Sequence, residues 1–472
     1  MTADDFAAFY RELWGYEPFP WQRRLAAEVL ARGWPPALDL PTAAGKTATL
    51  DIALFHLAAQ AEAGAERTAP LRIVYVVDRR LIVDQAFLRA RELAQRLAAA
   101  SGGLLGEVAA RLRKLSVLGG EPLRVVALRG GMPLEPEWCP DPSQPTVCVS
   151  TVDQAGSRLL FRGYGVSPSM LPVHAGLMGA DVLFLLDEVH LSQPFAETLD
   201  QVRSYGGRGW AHPHARPPQV VHLSATLPVA GDCHDRGAGG LAPGRASSPA
   251  FRLDADDERC PELARRLRTP KWTELRRLTA SSEDADALAQ QIARLAYELA
   301  RGAEPGPAPL VTAVIVNRVL LARRTHQALT RLVASDAEPQ AETVLLIGRA
   351  RPLDRDGLVQ AYLPRLRAQD RQRGERPLFV VATQCVEAGA DLDFDLLVTQ
   401  IAPLDCLRQR FGRLDRVGRW CGARQQARRP VALVVASRDE VRDDGDPDPL
   451  YGLAPARTWR WLEQRAAPGQ AG

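Results

Sequence analysis

Lysine is almost missing from this sequence, although basic residues are not. Lys46, Lys114 and Lys271 are the only lysines among 59 basic residues in a chain of 472. The abundance of arginine, alanine, glycine and proline is typical of a GC-rich genome, so arginine content alone indicates little about nucleic-acid binding. The formal net charge is only +3, and any surface that attracts a polyanion must therefore be local.

Other features are missing altogether. The seven cysteines include no Cys-x-x-Cys pair, which argues against a zinc ribbon and against a disulfide framework. The first ten residues are partly acidic and have no apolar centre, unlike a secretory signal. There is no uninterrupted apolar run of about 18 residues, so no membrane span is expected. We therefore expect a cytoplasmic protein without a membrane partner.

What is present is a series of short, continuously apolar runs separated by helical patterns. Strands that are apolar on successive residues are typical of parallel sheets covered by helices on both faces. Their alternation with helices predicts an α/β fold, repeated in the two halves of the chain. The predicted strands are residues 37–40, 71–78, 146–152, 181–187, 219–224, 311–317, 343–348, 378–383, 396–401 and 431–436.

The domain boundaries follow from shifts in composition. Residues 228–249 are rich in glycine, proline and alanine without periodicity, which indicates an irregular insertion or linker. We predict a first lobe over residues 1–235, a linker over 236–252, a second lobe over 253–437 and a short C-terminal extension over 438–472.

The most informative motif is the loop 41–47, Pro-Thr-Ala-Ala-Gly-Lys-Thr, between a predicted strand and a predicted helix. In such a turn, backbone N–H groups and the helix N-terminus attract phosphate, the lysine reaches the β- and γ-phosphates, and the threonine ligates Mg²⁺. The full consensus places glycine where this chain has Leu40, and Ala43 stands where related loops often have glycine. A plain strand–turn–helix stays open from this motif alone.

Acidic residues follow a later strand. Strand 181–187 ends in Asp187-Glu188-Val189-His190, and ligands of open α/β sheets bind at the carboxyl ends of strands. Asp187 is suited to hold Mg²⁺ through water, and Glu188 is suited to polarise an attacking water. A helix N-cap is the ordinary alternative for such a pair.

Weaker motifs flank these two. Gln22 lies upstream of the phosphate loop and carries a carboxamide able to read an adenine edge, although a plain surface turn is equally compatible. Ser224-Ala225-Thr226 ends strand 219–224, where hydroxyls are also common caps. In the second half, Arg413 and Arg416 are spaced to share one helical face and to stabilise a transferring phosphoryl group.

Taken in order, these blocks resemble motifs Q, I, II, III, V and VI of superfamily 2 helicases, spread over residues 19–419. Gln409, which begins the last block, resembles the DExH branch. Further segments resemble the Cas helicase-nuclease of type I CRISPR interference, closest to the subtype formerly called I-U and now I-G. They are residues 76–85, 150–154, 187–190, 316–319, 348–356 and 409–416.

The resemblance implies two tandem RecA-like lobes with an ATP–Mg²⁺ site in the cleft between them. It implies an ATP-dependent, 3′-to-5′ single-stranded DNA translocase that works with a Cascade-type interference complex. The catalytic residues it implies are Lys46, Asp187, Glu188, Gln409, Arg413 and Arg416. The implied nucleotide-binding residues are Gln22, Thr42, Ala43, Ala44, Gly45, Lys46, Thr47, Gly389 and Asp391, with Thr47 and Asp187 holding the metal ion.

Contacts to the nucleic-acid strand are expected mainly at its phosphates. The candidate residues are Arg129, Thr151, Asp153, Gln154, Asn317, Arg318 and Arg349. For the segment 349–376, a solvated arginine-rich face is an equal alternative.

One departure from the family concerns its HD nuclease domain, which needs clustered His and Asp residues. This chain has eight histidines, and His234-Asp235 is the one such dyad, placed in the glycine-rich insertion. We therefore expect the nuclease to be absent here, supplied separately or lost from the C-terminus.

Three other functions stay open from the sequence. Two are enzymes, a DExH RNA helicase and the motor of a restriction system. The third is a nucleotide-gated binding module that does not unwind.

Overall fold

The computed structural model divides the chain into two compact units, Met1–Leu263 and Ala264–Gly472. It describes residues 1–77, 80–128, 141–188, 193–205, 216–224, 250–303, 309–335, 341–348, 352–368, 371–372, 374–387, 392–419, 430–442 and 447–466. Several predicted positions lie outside these ranges, namely Arg129, His190, the dyad at 234–235, Arg349, Gly389 and Asp391.

A seven-stranded sheet in which all strand pairs are parallel forms the centre of the first unit. Its spatial order is β3-β4-β2-β5-β6-β1-β7. The strands are β1 (Ala37–Asp39), β2 (Arg72–Val77), β3 (Arg124–Leu128), β4 (Thr146–Thr151), β5 (Val182–Asp187), β6 (Gln219–Ser224) and β7 (Phe251–Arg252). Because β5, β6 and β1 are neighbours, the segments that follow their carboxyl ends meet at one edge.

Helices surround this sheet. They are α1 (Ala3–Trp14), α2 (Pro20–Arg32), α3 (Thr49–Ala59), α4 (Arg80–Ala99), α5 (Gly103–Arg113), α6 (Val152–Leu159), α7 (Leu171–Gly179), α8 (Gln193–Tyr205) and α9 (Ala255–Arg259), followed by α10 (Pro261–Arg268) at the boundary of the units.

Helix α3, which leaves the phosphate loop, is anchored by aromatic and ionic contacts. Phe55 packs against Phe6 and Phe9 of α1 with ring centroids 5.5 and 5.4 Å apart. The buried carboxylate of Asp51 accepts a 2.8 Å bond from Arg89 of α4. Burial raises the pKa of Asp51, and the adjacent Arg89 opposes that rise. These contacts fix the helix on which the loop depends.

The second unit contains a six-stranded sheet, also with all pairs parallel, in the order β10-β11-β9-β12-β13-β8. The strands are β8 (Thr273–Arg277), β9 (Val311–Ile315), β10 (Glu342–Leu346), β11 (Leu378–Ala382), β12 (Leu396–Gln400) and β13 (Ala432–Ala436). The helices are α11 (Ala285–Arg301), α12 (Val319–Ala334), α13 (Pro352–Leu366), α14 (Leu404–Phe411) and α15 (Ala454–Glu463).

The two parallel α/β sheets confirm the predicted fold class. Every predicted apolar run forms a strand, and most of these strands consist of buried residues, as expected for parallel sheets covered by helices. The strands that apolar runs did not predict are β3, β7 and β8, which lie at or near sheet edges. Strand β8, Thr-Glu-Leu-Arg-Arg, is only half-buried, so its sequence carries no apolar run.

The boundary between the units falls later than composition indicated. Strand β7 pairs with β1, and Arg24 of α2 binds Asp254 and Asp257 at 2.9 and 2.6 Å. The segment up to Leu263 therefore belongs to the first unit, whereas we predicted that the second lobe begins at residue 253. Within the described ranges, no helix combines the length and apolar character needed to cross a membrane.

Candidate active site

The phosphate loop connects β1 to α3 through a tight turn. Ala43 and Gly45 both adopt positive φ, 70° and 84°, and a single 3-10 turn, Lys46–Ala48, precedes α3. An L-residue in the left-handed region costs about 1–2 kcal/mol, so the alanine that departs from the consensus is strained. The loop thus takes the shape that glycine normally allows, and Ala43 takes it at a cost.

Side chains of α2 hold the loop from behind. The indole Nε1 of Trp21 donates to the carbonyl oxygen of Ala44 at 3.0 Å. The carboxamide of Gln22 accepts from Phe19 N at 2.9 Å and donates to Gly45 O at 3.4 Å. Both side chains are buried. Gln22 therefore contacts the phosphate loop directly, and its reading of adenine stays a prediction.

The acidic pair lies against the loop lysine. Lys46 Nζ is 2.9 Å from Glu188 Oε1 and 3.9 Å from Asp187 Oδ1, and each of the three side chains is 10% exposed. Glu188 has a φ of 55°, and its N–H donates to Leu223 O at 2.8 Å. The chain thus turns sharply after Asp187 while still bonded to β6, which directs both carboxylates to the loop.

A tyrosine from the middle of β2 completes this arrangement. Tyr75 OH donates to Asp187 Oδ2 at 3.0 Å and also interacts with the side chain of Thr47. Burial, reinforced by the Asp187 carboxylate, raises the pKa of Tyr75 well above its usual value, so the hydroxyl remains a donor at neutral pH. Tyr75 therefore connects the two residues predicted to hold Mg²⁺. The one feature of the sequence that could have revealed this role is that Tyr75 is the sole aromatic residue of β2.

The second unit has its own buried polar cluster, centred on Arg410. The Arg410 guanidinium donates to Glu387 Oε1, Thr399 Oγ1, Gln400 O and Asn317 Oδ1, each at 2.8 Å. Arg410 and Glu387 are 0% and 1% exposed as side chains. This cluster joins the carboxyl ends of β9 and β12 to the segment that follows β11.

The predicted pair of arginines departs from expectation. The prediction that Arg413 and Arg416 share one helical face was wrong, because α14 ends at Phe411. Beyond it, Phe394 N donates to Arg413 O and Asp415 N donates to Phe394 O, both at 2.8 Å, so an isolated β-bridge at Leu414, flanked by turns, takes the place of the helix. The Arg413 side chain is buried and donates to Glu387 O at 3.0 and 2.7 Å, whereas Arg416 is half-buried.

Gln409 is also buried. The catalytic roles of Gln409, Arg413 and Arg416 stay predictions.

The described candidates for strand contact differ in accessibility. Thr151 and Gln154 are buried, and the Gln154 oxygen accepts from Arg158 at 2.6 Å. Asn317 is buried and donates to Ile401 O at 2.8 Å while accepting from Arg410. Asp153 and Arg318 are exposed. Asn317 and Gln154 thus bond to groups of their own units, and their contact with the strand stays a prediction.

Comparisons with known proteins found similarity in sequence and in fold. Residues 310–419 match the family described as CRISPR-associated nuclease/helicase Cas3, C-terminal. A Cas3 of Thermus thermophilus is 42% identical over 98 residues, 20% of this chain and 10% of its own length. A Cas3 of Methanothermobacter thermautotrophicus is 36% identical over 78 residues, 16% of this chain and 7% of its own length.

Among solved structures, T. fusca Cas3-AMPPNP is similar over 99% of this chain and 53% of its own, with a TM-score of 0.61 and 22% identity. This chain thus spans about half of that protein, and the matched segments are far shorter parts of the curated relatives. The comparisons do not separate subtypes, so the I-U or I-G assignment stays a prediction. The match over residues 310–419 and the shared fold support the assignment to the Cas3-type CRISPR-associated helicases.

Proposed function

We propose that this chain is an ATP-driven, single-stranded DNA translocase and helicase of CRISPR interference. The observation that carries the proposal is the contact of Lys46 with Glu188 and Asp187 at the carboxyl edge of a parallel sheet. A lysine on a phosphate loop facing an acidic pair is the constellation expected for phosphoryl transfer from ATP to water. The similar structure of T. fusca Cas3 with AMPPNP supports ATP as the nucleotide that this site binds.

The residues present fit a magnesium ion, which prefers oxygen ligands. Asp187 and Thr47 supply a carboxylate and a hydroxyl, and Tyr75 connects the two. When bound, the ion would neutralise charge on the phosphates. Lys46 would bind the β- and γ-phosphates, Glu188 would orient the attacking water, and Gln22 and Trp21 would keep the loop in shape. Gly389, Asp391, Gln409, Arg413 and Arg416 stay predicted contributors.

The strand, its polarity and the partners are part of the proposal. Relatives that carry the name nuclease/helicase support a role in CRISPR interference, with a Cascade-type complex and a separately supplied HD nuclease as predicted partners. The 3′-to-5′ direction rests on the resemblance of the motifs. The RNA helicase, the restriction motor and the nucleotide-gated module remain the alternatives.

The test is ATP turnover with and without nucleic acid. Lys46→Ala and Glu188→Gln are expected to abolish turnover that single-stranded DNA stimulates, while both variants stay folded. Lys114→Ala is the matched control, because Lys114 lies in the same unit in an exposed ion pair with Glu62. Near-wild-type turnover in Lys46→Ala or Glu188→Gln would contradict the proposal. Stimulation by RNA but not DNA would favour the RNA helicase, and stimulation by neither would favour the binding module.

Arg413→Ala provides a separate test of the arginine role. An arginine that stabilises the transferring phosphoryl group can contribute about 10³–10⁵ in rate. We expect the variant to lose hydrolysis far more than ATP binding. Equal loss of both, together with a lower unfolding temperature, would instead assign Arg413 to its observed contact with Glu387.

A further inference from the structure

The turn that follows α6 exposes large apolar side chains. Leu160, Phe161 and Tyr164 are 53%, 60% and 60% exposed, and Arg162 between them is exposed as well. Single exposed apolar residues are ordinary on protein surfaces, but neighbouring ones mark sites of interaction. This group has no role in the nucleotide site described above.

The turn is held in place by the fold. Arg162 N and Gly163 N both donate to Ser157 O, at 2.7 and 3.0 Å. A Cβ atom at Gly163 would lie 2.9 Å from Val166 Cγ2, so a larger residue there would force Val166 to shift. Phe161 has a φ of 57°, a conformation that is strained for an aromatic residue. Strain of this kind persists where the surrounding structure imposes it, often at binding sites.

The stretch of sequence that contains the turn, between Asp153 and Asp181, has no acidic residue. Residues 154–180 contain no aspartate or glutamate, although the chain has 56 acidic residues among 472. The arginines in this segment are Arg158, which is buried, and Arg162. Carboxylates repel phosphates but do not disfavour a protein partner, so their absence favours a nucleic-acid strand.

The turn is also close to the predicted path of that strand. Helix α6 begins at the residue after Thr151, a candidate strand contact at the end of β4. Helix α6 has eight residues and rises about 1.5 Å per residue, so the turn lies about 12 Å along the helix from Thr151.

We propose that Phe161 and Tyr164 form a base-stacking site for single-stranded DNA, with Arg162 pairing with a phosphate. Aromatic rings stack on any base, and a neighbouring cation binds the backbone, which together give affinity without sequence preference. The site rests on the proposed function, because it needs a chain that binds a single strand. It assigns strand contact to residues that the helicase motifs do not include.

The experiment compares two strands of equal length, a labelled oligo(dT) and an abasic strand, by fluorescence anisotropy with the full chain. The double variant Phe161→Leu/Tyr164→Leu keeps apolar side chains but removes both aromatic faces. It is expected to bind oligo(dT) about tenfold or more weakly than wild type, since stacking contributes strongly per base. On the abasic strand, wild type and variant are expected to bind equally. Phe161→Trp is expected to retain binding.

The matched control is Val117→Ser/Leu118→Ser, which alters an apolar pair of the same unit that is 83% and 73% exposed. This control should bind both strands like wild type. Unfolding temperatures check that every variant is folded. Equal binding of oligo(dT) by wild type and the leucine variant, or an equal loss on both strands, overturns the stacking site and favours a protein partner for the turn. Failure of wild type to bind oligo(dT) overturns the proposed function as well.

Discussion

The ammonium nitrogen of Lys46 lies 2.9 Å from the Oε1 atom of Glu188. The residue predicted to bind the phosphates and the residue predicted to orient water thus form an ion pair with each other, in which both side chains are largely buried. In the proposed function, an incoming polyphosphate would compete for Lys46 and release Glu188 to orient the attacking water. The ion pair would then couple nucleotide binding to the availability of the Glu188 carboxylate.

This pair should show energetic coupling. Lys46→Met and Glu188→Gln are expected to destabilise less together than the sum of the single variants, by about 0.5–3 kcal/mol, because each single change leaves a charge without its partner. Urea unfolding without nucleotide measures the cycle. Arg111 and Glu107, also 2.9 Å apart but more exposed, are the control pair, with expected coupling of about 0.3–0.5 kcal/mol. Strict additivity for Lys46 and Glu188 would contradict the ion pair.

Removing the hydroxyl of Tyr75 should weaken the binding of Mg²⁺ at the proposed site. Tyr75→Phe deletes the 3.0 Å bond to Asp187 and leaves the ring in place. Loss of such a supporting bond typically costs about 10–100-fold in metal affinity or activity. ATP turnover measured against Mg²⁺ concentration is expected to need more metal. Tyr10→Phe, at another buried tyrosine of the same unit, should leave that curve unchanged.

Trp21 should influence nucleotide affinity through the loop. Trp21→Phe removes the donor to Ala44 O and retains most of the buried ring. One hydrogen bond is worth about 0.5–1.5 kcal/mol, so the KM for ATP is expected to rise about two- to tenfold with a smaller change in kcat. Trp34→Phe, at a half-buried indole of the same unit, is the control. A fall in kcat alone would refute the positioning role.

Arg410 should matter for stability more than its neighbours in sequence. Arg410→Met leaves the carboxylate of Glu387 buried without its partner, which is expected to cost about 3–5 kcal/mol. Arg408→Met, at an exposed position of the same helix, should stay within about 0.5 kcal/mol of wild type. Chemical denaturation measures both, and similar values would contradict the buried cluster.

The raised pKa of Asp393 predicts that the stability of the folded chain depends on pH. Burial, the largest effect, raises its pKa to about 7, and Asp395 and Asp415 add to this while Arg416 N and Arg371 oppose it. A raised pKa means that the folded state holds a proton that the unfolded state releases, so stability falls as pH rises from about 4 to about 7. Asp393→Asn should therefore gain on wild type by up to about 1.4 kcal/mol per pH unit in this window and level off above it. Unfolding midpoints that differ by a constant amount from pH 5 to 8 would contradict the shift.

Local chemistry made much of this protein readable from its sequence. Continuous apolar runs such as 146–152 and 378–383 can be buried only between two layers of helices, so they predicted parallel sheets correctly. The loop at 41–47 and the acids at 187–188 were expected to meet because both follow parallel strands, and they do. These inferences needed only periodicity and the rule that parallel strands share a carboxyl edge.

Only the tertiary structure decided which polar side chains are buried and hydrogen-bonded within the fold. Arg410, Arg413 and Arg416 look alike in sequence, yet Arg410 and Arg413 are buried against Glu387 and Arg416 is half-buried. Asn317 became part of that cluster in the same way. Which carboxylate or carbonyl meets a given guanidinium depends on segments far away in the chain. Sequence spacing therefore identified Lys46 and its acidic partners. Only the packing of distant strands distinguished the buried Arg410 and Arg413 from the more accessible Arg416.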